Sequence, residues 1–479
     1  MPPPQLERKL GLYSCITIVA GTIIGSSIFM KPAVMAAQVH LPLMLLVTWV
    51  VTGIVSIFGG MIMAEVGSIL PETGGQYIYF RHMYGDFFAF LFGWSGFIVI
   101  NTGAIAGIAF LFAQYAEYFI HLPRFSQSVE QSVAFTIPFV GKFYILENIG
   151  VKLLAILVIF IITAVNVRSV KGGAAIQVVF TVVKLLALVV LVVGIFFSGK
   201  GNFSNFYKSY DAVHYSTWEI ITGFIAAASG ALAAYDGWNV LGFISGEIKE
   251  PQKNISKGLL IGISTCIVAY LLTTQAYLYM LPVNEMKNST LVASDAFGKA
   301  FGLAGGGFVA ALVMVSTFGG ANGNILPCAR VTFAMGEERN FFPYFGKVHP
   351  AFKTPANALW LQFIWSAVLV LTGSFDTLMD MFIFIQWIFY GFLGFGIFIL
   401  RRKMKHAERP YKVWGYPYVP IIFIAFSAFY FVITLYNDIS NYLSGKTHII
   451  NSVFGALLTL IGVPLYWYFK RQYKSSKDA

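Results

Sequence analysis

The sequence predicts an all-α membrane protein with about twelve transmembrane helices. Of its 479 residues, 57% are hydrophobic and only 11% are charged, whereas a soluble globular chain has about 25% charged residues. The mean hydropathy of +0.73 agrees with this composition. Apolar runs of at least ~20 residues, the length needed for a helix to cross a bilayer, recur along the whole chain.

The predicted spans follow one another with short polar loops between them. None of these loops is long enough for a soluble domain, so we expect residues 1–479 to form a single membrane domain. The spans cover residues 10–38, 42–67, 85–119, 147–167, 173–198, 217–245, 257–282, 304–336, 356–373, 376–401, 417–437 and 449–470. Residues 68–84, SILPETGGQYIYFRHMY, are too polar to span and too apolar for a plain loop, which predicts a re-entrant or interfacial segment.

Span one contains small residues where a spanning helix should be most regular. The stretch IVAGTIIGSSIFMKP carries Gly21, Gly25, Ser26 and Ser27. Glycine loses the most backbone freedom in a helix, and serine side chains compete for backbone hydrogen bonds. A helix broken here must face protein or a water-filled cavity, because lipid cannot satisfy the freed backbone groups. The alternative is a face for close helix packing, since Gly21-x-x-x-Gly25 has that spacing.

Span six has a matching interruption, where Ser229, Gly230, Asp236 and Gly237 lie near its middle. Paired breaks at corresponding positions predict two inverted repeats of five spans, residues 10–198 and 217–401, followed by two additional helices at 417–470. The N-termini of half-helices attract a carboxylate. Unwound carbonyls accept hydrogen bonds from an ammonium group. Together the two breaks predict a site for the backbone part of an α-amino acid.

Loop charges predict that both termini are cytoplasmic. With the N-terminus inside, cationic residues favour the inner loops by about three to one. The outer loops then hold only Arg124, Lys142, Lys200, Lys208, Lys287, Lys299 and Lys446. The richest inner cluster is residues 401–412, which we expect to set topology and meet anionic lipid. The first residues have no signal-peptide pattern.

Five motifs carry a family resemblance: GTIIGSSIFMKP in span one, PETGG at 71–75, AYDGWNVL at 234–241, Glu247-x-x-x-Pro251, and FGGANG at 318–323. Together they resemble the amino acid–polyamine–organocation superfamily, and most closely its L-amino acid transporter branch with the prokaryotic serine/threonine-type exchangers. The resemblance implies a leucine-transporter-type fold of two inverted five-span repeats with spans one and six broken. It also implies sodium-independent, obligatory exchange of amino acids by alternating access.

The resemblance assigns substrate contacts at both breaks. The substrate carboxylate is expected at Ile23, Gly25, Ser26 and Ser27, and its ammonium at the backbone of Ala233, Ala234 and Asp236. Two positions depart from most relatives: Ser27 replaces a glycine, and Ala233 replaces an aromatic gate, which predicts a roomier pocket. Tyr235 and Trp238 either line the site or fill the core.

Lys184, in the VVKLLAL stretch of span five, is the most unusual single residue. A charge at mid-span costs about 2.5–3.5 kcal/mol on insertion scales, and Lys184 lies too deep to reach an interface easily. In the resembled branch this lysine stands near the first-span break and supplies the charge that sodium supplies in ion-coupled relatives. The alternative is a lysine paired with a carboxylate elsewhere.

Other polar residues support weaker interpretations. Asp236 either binds a cationic side chain or caps a half-helix that begins at Gly237. Glu65 and Glu117 lie near span ends and are expected at the interface. Asn322 is expected to bond across helices rather than to touch substrate.

The predicted function is sodium-independent exchange of neutral L-amino acids across the plasma membrane. A cationic amino acid or polyamine exchanger and a proton-coupled symporter are the alternatives, and a channel or an amino acid receptor represents another class. No enzyme motif, phosphate-binding loop or metal-ligand spacing is present in the sequence, so we expect no cofactor and no nucleic acid partner. The outer loop 120–146 contains no cysteine, which predicts no disulfide-linked accessory subunit of the kind found in animal relatives.

Overall fold

The structure is a computed structural model that describes residues 10–70, 75–168, 170–207, 216–243 and 248–474. Two motif stretches, residues 71–74 and 244–247, lie outside these ranges. In the described part of the chain, helices form from the apolar runs. The exception is one small antiparallel hairpin of β1 (Ala134–Ile137) and β2 (Gly141–Tyr144), which pairs Ala134 with Tyr144.

The helices of the described residues are numbered in chain order. In the first part of the chain they are α1 Leu12–Ile23, α2 Lys31–Val39, α3 Pro42–Ile69, α4 Gln76–Tyr84, α5 Asp86–Ser95, α6 Asn101–Ala116, α7 Gln127–Ser132, α8 Ile149–Arg168 and α9 Val170–Phe197. They continue with α10 Thr217–Tyr235, α11 Val240–Phe243, α12 Pro251–Met280, α13 Val283–Met286, α14 Val292–Glu337, α15 Ala356–Thr372, α16 Phe375–Lys403, α17 Tyr418–Leu443, α18 Asn451–Leu460 and α19 Gly462–Lys474.

The helices correspond to the predicted spans. Among the described residues, nine helical stretches are long and apolar enough to cross a membrane. Shorter apolar helices, Leu12–Ile23, Val182–Phe197 and Ala356–Thr372, occupy the places predicted for spans one, five and nine. The all-α membrane fold class is therefore confirmed.

Two long helical stretches contain local irregularities that the sequence did not predict. A π-helical turn, Gly96–Ile100, separates α5 from α6 within span three. In α14, Gly302 has a φ of 76°, which divides the helix just before the predicted start of span eight at residue 304. Glycine is the residue that takes such a φ at no steric cost.

The chain divides into two compact units. The first unit comprises Met1–Ala89, Asn202–Asn288 and Trp387–Ile433. It therefore contains both interrupted spans together with α3 and α12. Glycines permit close packing in this unit: a Cβ at Gly262 of α12 would lie 2.7 Å from Val19 Cγ1 of α1.

The second unit comprises Phe90–Gly201, Ser289–Gln386 and Thr434–Ala479. Its helices are joined by polar contacts within the apolar core. The Nδ2 of Asn166 in α8 donates to Oδ1 of Asn322 in α14 at 2.8 Å, which is the cross-helix bond expected of Asn322. The Nζ of Lys152 donates to the carbonyls of Tyr144 and Leu371 at 2.8 and 3.1 Å.

The segment 68–84, predicted to be a re-entrant or interfacial piece, is mostly helical where the structure describes it, and its position relative to a membrane stays a prediction. Helix α3 extends to Ile69, and α4 begins at Gln76. Gln76, Tyr79, Phe80 and Met83 are buried, so α4 packs into the protein.

Glu65, predicted to lie at the interface, is buried within the protein, and its depth in a membrane stays a prediction. Its side chain is fully buried and receives a bidentate pair of bonds from Arg401, Nε to Oε1 at 2.8 Å and Nη2 to Oε2 at 2.7 Å. The backbone N–H of Val413 donates to Oε2 at 2.7 Å, and Nε of Arg409 lies 4.0 Å from Oε1. The partners are far away in sequence, so position alone could not reveal them. We call Glu65, Arg401, Arg409 and Val413 the Glu65 cluster.

Candidate functional site

The first break is the stretch 24–30, between the end of α1 and the start of α2. Helix α1 ends at Ile23, and Ile24 leaves the helical region with φ −65° and ψ 88°. Gly25 is extended, Ser26–Phe29 form one 3₁₀ turn, and α2 begins at Lys31 after Met30. The first N–H groups of a helical turn have no partner within it. The first break therefore presents backbone donors inside the first unit.

The second break is Asp236–Asn239, between α10 and α11. Asp236 is extended, with φ −63° and ψ 147°, and Gly237 has a φ of 116°. A Cβ at Gly237 would lie 2.8 Å from Cγ2 of Thr22 in α1. Glycine is required at this position both for its φ and for the close approach of the two interrupted spans.

The interruption in span six lies later than the sequence suggested. Ser229 and Gly230 remain inside the regular helix α10, and only Asp236 and Gly237 leave it. Gly230 packs instead, because a Cβ there would lie 3.1 Å from Cγ of Met35. Asp236 also does not cap a helix that begins at Gly237, since α11 begins at Val240.

Tyr270 of α12 connects the two breaks. Its hydroxyl lies 2.7 Å from the carbonyl oxygen of Ile23 and 2.8 Å from that of Ala234, so one O–H donor is shared by both acceptors. The backbone amide of Gly25 interacts with the same hydroxyl. The last carbonyls of a helix have no intrahelical partner, and Tyr270 satisfies one at the end of each half-helix.

Aromatic side chains hold Tyr270 in place. The ring of Trp49 lies 5.0 Å from that of Tyr270, and the ring of Tyr235 lies 5.1 Å from it. The hydroxyl of Tyr235 donates to the carbonyl of Trp49 at 3.1 Å. All three side chains are fully buried. Tyr235 therefore contributes packing and a helix–helix hydrogen bond in this structure.

Asp236 and Trp238 both meet Tyr390 of α16. The Tyr390 hydroxyl donates to Oδ1 of Asp236 at 2.6 Å, and the backbone N–H of Gly237 also bonds to this carboxylate. The ring of Trp238 lies 4.4 Å from that of Tyr390 and is buried. Asp236 itself is only partly buried. Within the described residues, both of these hydrogen-bond donors are uncharged.

The remaining predicted substrate residues lie in the two breaks or in the last turns of the helices that precede them. Ile23 and Ala234 are buried, and their carbonyls are those bonded by Tyr270. Ser27 and Ala233 are nearly buried, at 6% and 7% exposure. The side chain of Ser26 lies outside the described part of the structure.

Lys184 lies in α9 of the second unit and is 6% exposed. It makes an interaction with another residue, and its predicted action on the first break stays a prediction.

Two residues of the first unit were missed by the sequence reasoning. Tyr270 is one tyrosine in an apolar run, which gives no sequence signal. Lys31 is a lysine with only 1% exposure at the first position of α2. It stands in the KP pair after the first break, and its charge could have drawn attention to it.

Comparison with known proteins resolves the family. A model of the amino acid permease family matches residues 10–461. The chain belongs to this family. It is a multi-pass membrane transporter of the amino acid–polyamine–organocation superfamily, as the five motifs suggested, and the family is one of transporters rather than enzymes.

Curated relatives match the permease over most of their length. It is 30% identical over 473 residues to a serine/threonine exchanger of Bacillus subtilis (strain 168), covering 98% of each chain. It is 32% identical to the b(0,+)-type amino acid transporter 1 of Mus musculus, over 89% of this chain and 82% of the relative. It is 29% identical to the human cystine/glutamate transporter, over 97% and 86% of the two chains. The first of these relatives is an exchanger by name and the other two are transporters, which supports amino acid transport by this chain.

Proposed function

We propose that this permease is a sodium-independent exchanger of neutral L-amino acids in the plasma membrane, with both termini cytoplasmic. The observation that carries the proposal is the hydroxyl of Tyr270, which bonds the carbonyls of Ile23 and Ala234 at the two breaks. The breaks therefore lie next to each other within the first unit. A zwitterion has a carboxylate and an ammonium only a few ångströms apart, and adjacent donors and acceptors suit both.

In the proposed site, the backbone of Gly25, Ser26 and Ser27 binds the substrate carboxylate. The donors there belong to the first turn after a helix interruption, where the peptide dipoles favour an anion. The carbonyls of Ala233 and Ala234 accept hydrogen bonds from the substrate ammonium. Ala234 has capacity to do so, because a carbonyl oxygen has two lone pairs and Tyr270 uses one.

In the proposed mechanism, alternating access uses the interrupted backbone of the two breaks. Gly25 and Gly237 sit where the helical hydrogen bonding is already interrupted, so half-helices can rotate there without breaking a regular helix. Lys184 supplies a fixed positive charge for the substrate-binding arrangement of the first break, in place of a coupling ion. Ala233 leaves room for aliphatic and aromatic side chains.

We propose that the two five-span halves are inverted repeats and that the transporter works without a disulfide-linked subunit.

A second candidate is exchange of cationic amino acids. The observation that favours it is Asp236, a partly buried carboxylate at the second break whose hydrogen-bond donors, Tyr390 and the Gly237 amide, are both uncharged. A cationic side chain directed at this carboxylate would gain the missing ion pair.

Reconstitution of the purified chain into proteoliposomes tests the proposal. We expect radiolabelled leucine to enter only when the vesicles contain an unlabelled amino acid, and at the same rate with sodium or choline outside. Uptake into empty vesicles contradicts exchange, and binding without uptake indicates a receptor. A competition panel separates the two candidates. In a neutral amino acid exchanger, neutral amino acids outcompete arginine and agmatine; in a cationic amino acid exchanger, they do not. A requirement for a second polypeptide contradicts the expected independence from a partner.

A further inference from the structure

The connection between α16 and α17, residues 404–417, is expected at a membrane surface. It joins two helices, Phe375–Lys403 and Tyr418–Leu443, that are both long and apolar enough to cross a bilayer. The backbone of the connection is not helical, so it would lack hydrogen-bond partners within the hydrocarbon. Its side chains therefore lie at the level of the lipid headgroups.

Two cations of this region are directed inward and engaged by the protein. The side chains of Arg401 and Arg409 are only 21% and 13% exposed, and both lie against the buried Glu65. Nη2 of Arg409 also donates to the carbonyl of Met404 at 2.6 Å. The guanidinium of Arg401 lies 3.5 Å from the centre of the Tyr416 ring. These contacts fix the shape of the connection.

Three further cations are presented on the outside of this fixed connection. Arg402, Lys405 and Lys412 are exposed, and none of them belongs to the Glu65 cluster. Lys403 is exposed as well, but its Nζ donates to two backbone carbonyls of α4. Glu408 is the only acidic residue of the connection. The outer surface is therefore positively charged.

Two large aromatic side chains of the same region are almost uncovered by protein. Trp414 is 79% exposed and Tyr418 is 72% exposed. Exposed apolar side chains continue along one face of α17 with helical spacing, at Ile421, Ile422 and Phe429. Tryptophan and tyrosine are enriched where a membrane meets water. The exposed face of α17 then leads from the headgroup level into the hydrocarbon.

We propose that the α16–α17 connection is a binding site for an anionic phospholipid. The phosphodiester headgroup contacts Arg402, Lys405 and Lys412, because cations at a membrane surface attract anionic lipid. The acyl chains lie along the exposed face of α17. Cations, interfacial aromatic residues and an apolar face follow one another along the chain into a spanning helix, which favours a lipid over an acidic protein. The site is separate from the two breaks, so the proposal does not depend on the proposed exchange.

Thermal unfolding in detergent tests the lipid preference, because a ligand that binds only the folded protein stabilises it. Dioleoylphosphatidylglycerol is titrated against dioleoylphosphatidylcholine, and we expect the anionic lipid to raise the unfolding midpoint at a lower concentration. Glycerophosphoglycerol, the same headgroup without acyl chains, should have no effect at the concentration at which the lipid saturates. Stabilisation by this soluble headgroup would indicate a free-anion site and contradict a lipid site.

The triple variant Arg402→Gln/Lys405→Gln/Lys412→Gln removes the three exposed cations. Each cation near a membrane surface adds several-fold to the affinity for anionic lipid. We therefore expect the variant to need at least tenfold more phosphatidylglycerol for the same shift, with its response to phosphatidylcholine unchanged.

The matched control is Lys249→Gln/Lys253→Gln/Lys257→Gln. It removes the same charge from exposed positions of the first unit, in a stretch, 248–257, without tryptophan or tyrosine. We expect it to keep the wild-type preference for phosphatidylglycerol. An equal loss of preference in both triple variants would mean that net charge alone attracts the lipid, which overturns the site.

Trp414 locates the bound lipid. Bromine on acyl chains quenches nearby tryptophan fluorescence, and the difference between wild-type protein and Trp414→Phe isolates Trp414 among the nine tryptophans. In proteoliposomes we expect brominated phosphatidylglycerol to quench Trp414 at a lower mole fraction than brominated phosphatidylcholine, and high salt to weaken this preference. Equal quenching by the two lipids contradicts the proposal. This measurement on wild-type protein decides the question even if the triple variant does not fold.

Discussion

The Glu65 cluster and the paired breaks are both polar regions inside the first unit. They differ in how completely their polar groups are hydrogen-bonded or ion-paired. Glu65 is matched completely: a guanidinium fork and a backbone N–H satisfy a fully buried carboxylate. At the breaks, one Tyr270 hydrogen serves two carbonyls, and the donors to Asp236 in the described part of the chain are uncharged. A completed network stabilises the structure, whereas groups that lack a full set of partners remain available to a substrate.

This comparison predicts the largest effect on stability at the Glu65 cluster. Arg401→Met removes the bidentate partner of the buried Glu65 and leaves only Arg409, 4.0 Å away, and the loss of a buried partner destabilises by about 3–5 kcal/mol. Thermal unfolding in detergent should show a large drop, with little change in the substrate range of the protein that survives. Arg402→Met, an exposed neighbour in the same helix, is the control. Equal stability of the two variants would show that the Glu65–Arg401 pair contributes no more to the free energy of unfolding than a surface ion pair does.

Tyr270→Phe should give the largest effect on transport. It removes one hydroxyl and leaves the carbonyls of Ile23 and Ala234 without a shared donor, which costs about 1–3 kcal/mol where the groups are buried. We expect the leucine exchange rate to fall by at least tenfold. Tyr84→Phe removes a comparable bond, to the carbonyl of Phe392 at 2.6 Å, away from the breaks. Similar rates for both variants would show that Tyr270 has no special role.

Lys184→Met tests whether a fixed charge replaces a coupling ion. Methionine keeps the approximate length and the apolar stem, so the charge is the main change. We expect slow exchange at every sodium concentration. Lys200→Met is the control just beyond the end of the same helix, where Lys200 bonds the carbonyl of Ala300. Wild-type exchange in correctly folded Lys184→Met contradicts the role, and recovery on neutralising a partner carboxylate as well would indicate a structural ion pair.

Ala233→Phe should have the smallest and most selective effect. The ring fills the space that Ala233 leaves open. We therefore expect the affinity for the substrates leucine and phenylalanine to fall by roughly tenfold relative to the substrate alanine, which is the discrimination that a pocket achieves for a few methylene groups. Competition against labelled alanine measures this ratio. A ratio equal to that of wild-type protein would place Ala233 outside the pocket.

The sequence predicted the helices and the existence of both breaks, because apolar length and clustered small residues act locally. It misplaced part of the second break, since Gly230 interrupts nothing once Met35 and Lys31 pack against it. It also missed Tyr270 and the partners of Glu65. Those errors share a cause: the partners of Tyr270 and Glu65 are distant in sequence, and only the folded chain brings them together.

The central claim is that the two breaks form one substrate site. The chain has three cysteines, Cys15, Cys266 and Cys328, and their replacement gives a background for single-cysteine variants. Ser27→Cys and Ala233→Cys report on the first and second breaks, and Ser444→Cys, at an exposed position, is the control. The rate at which each cysteine forms a mixed disulfide with a small methanethiosulfonate is measured as leucine concentration rises. The account predicts that leucine protects both breaks with the same half-maximal concentration and leaves the control unprotected. Protection of only one break, or of neither, would contradict it.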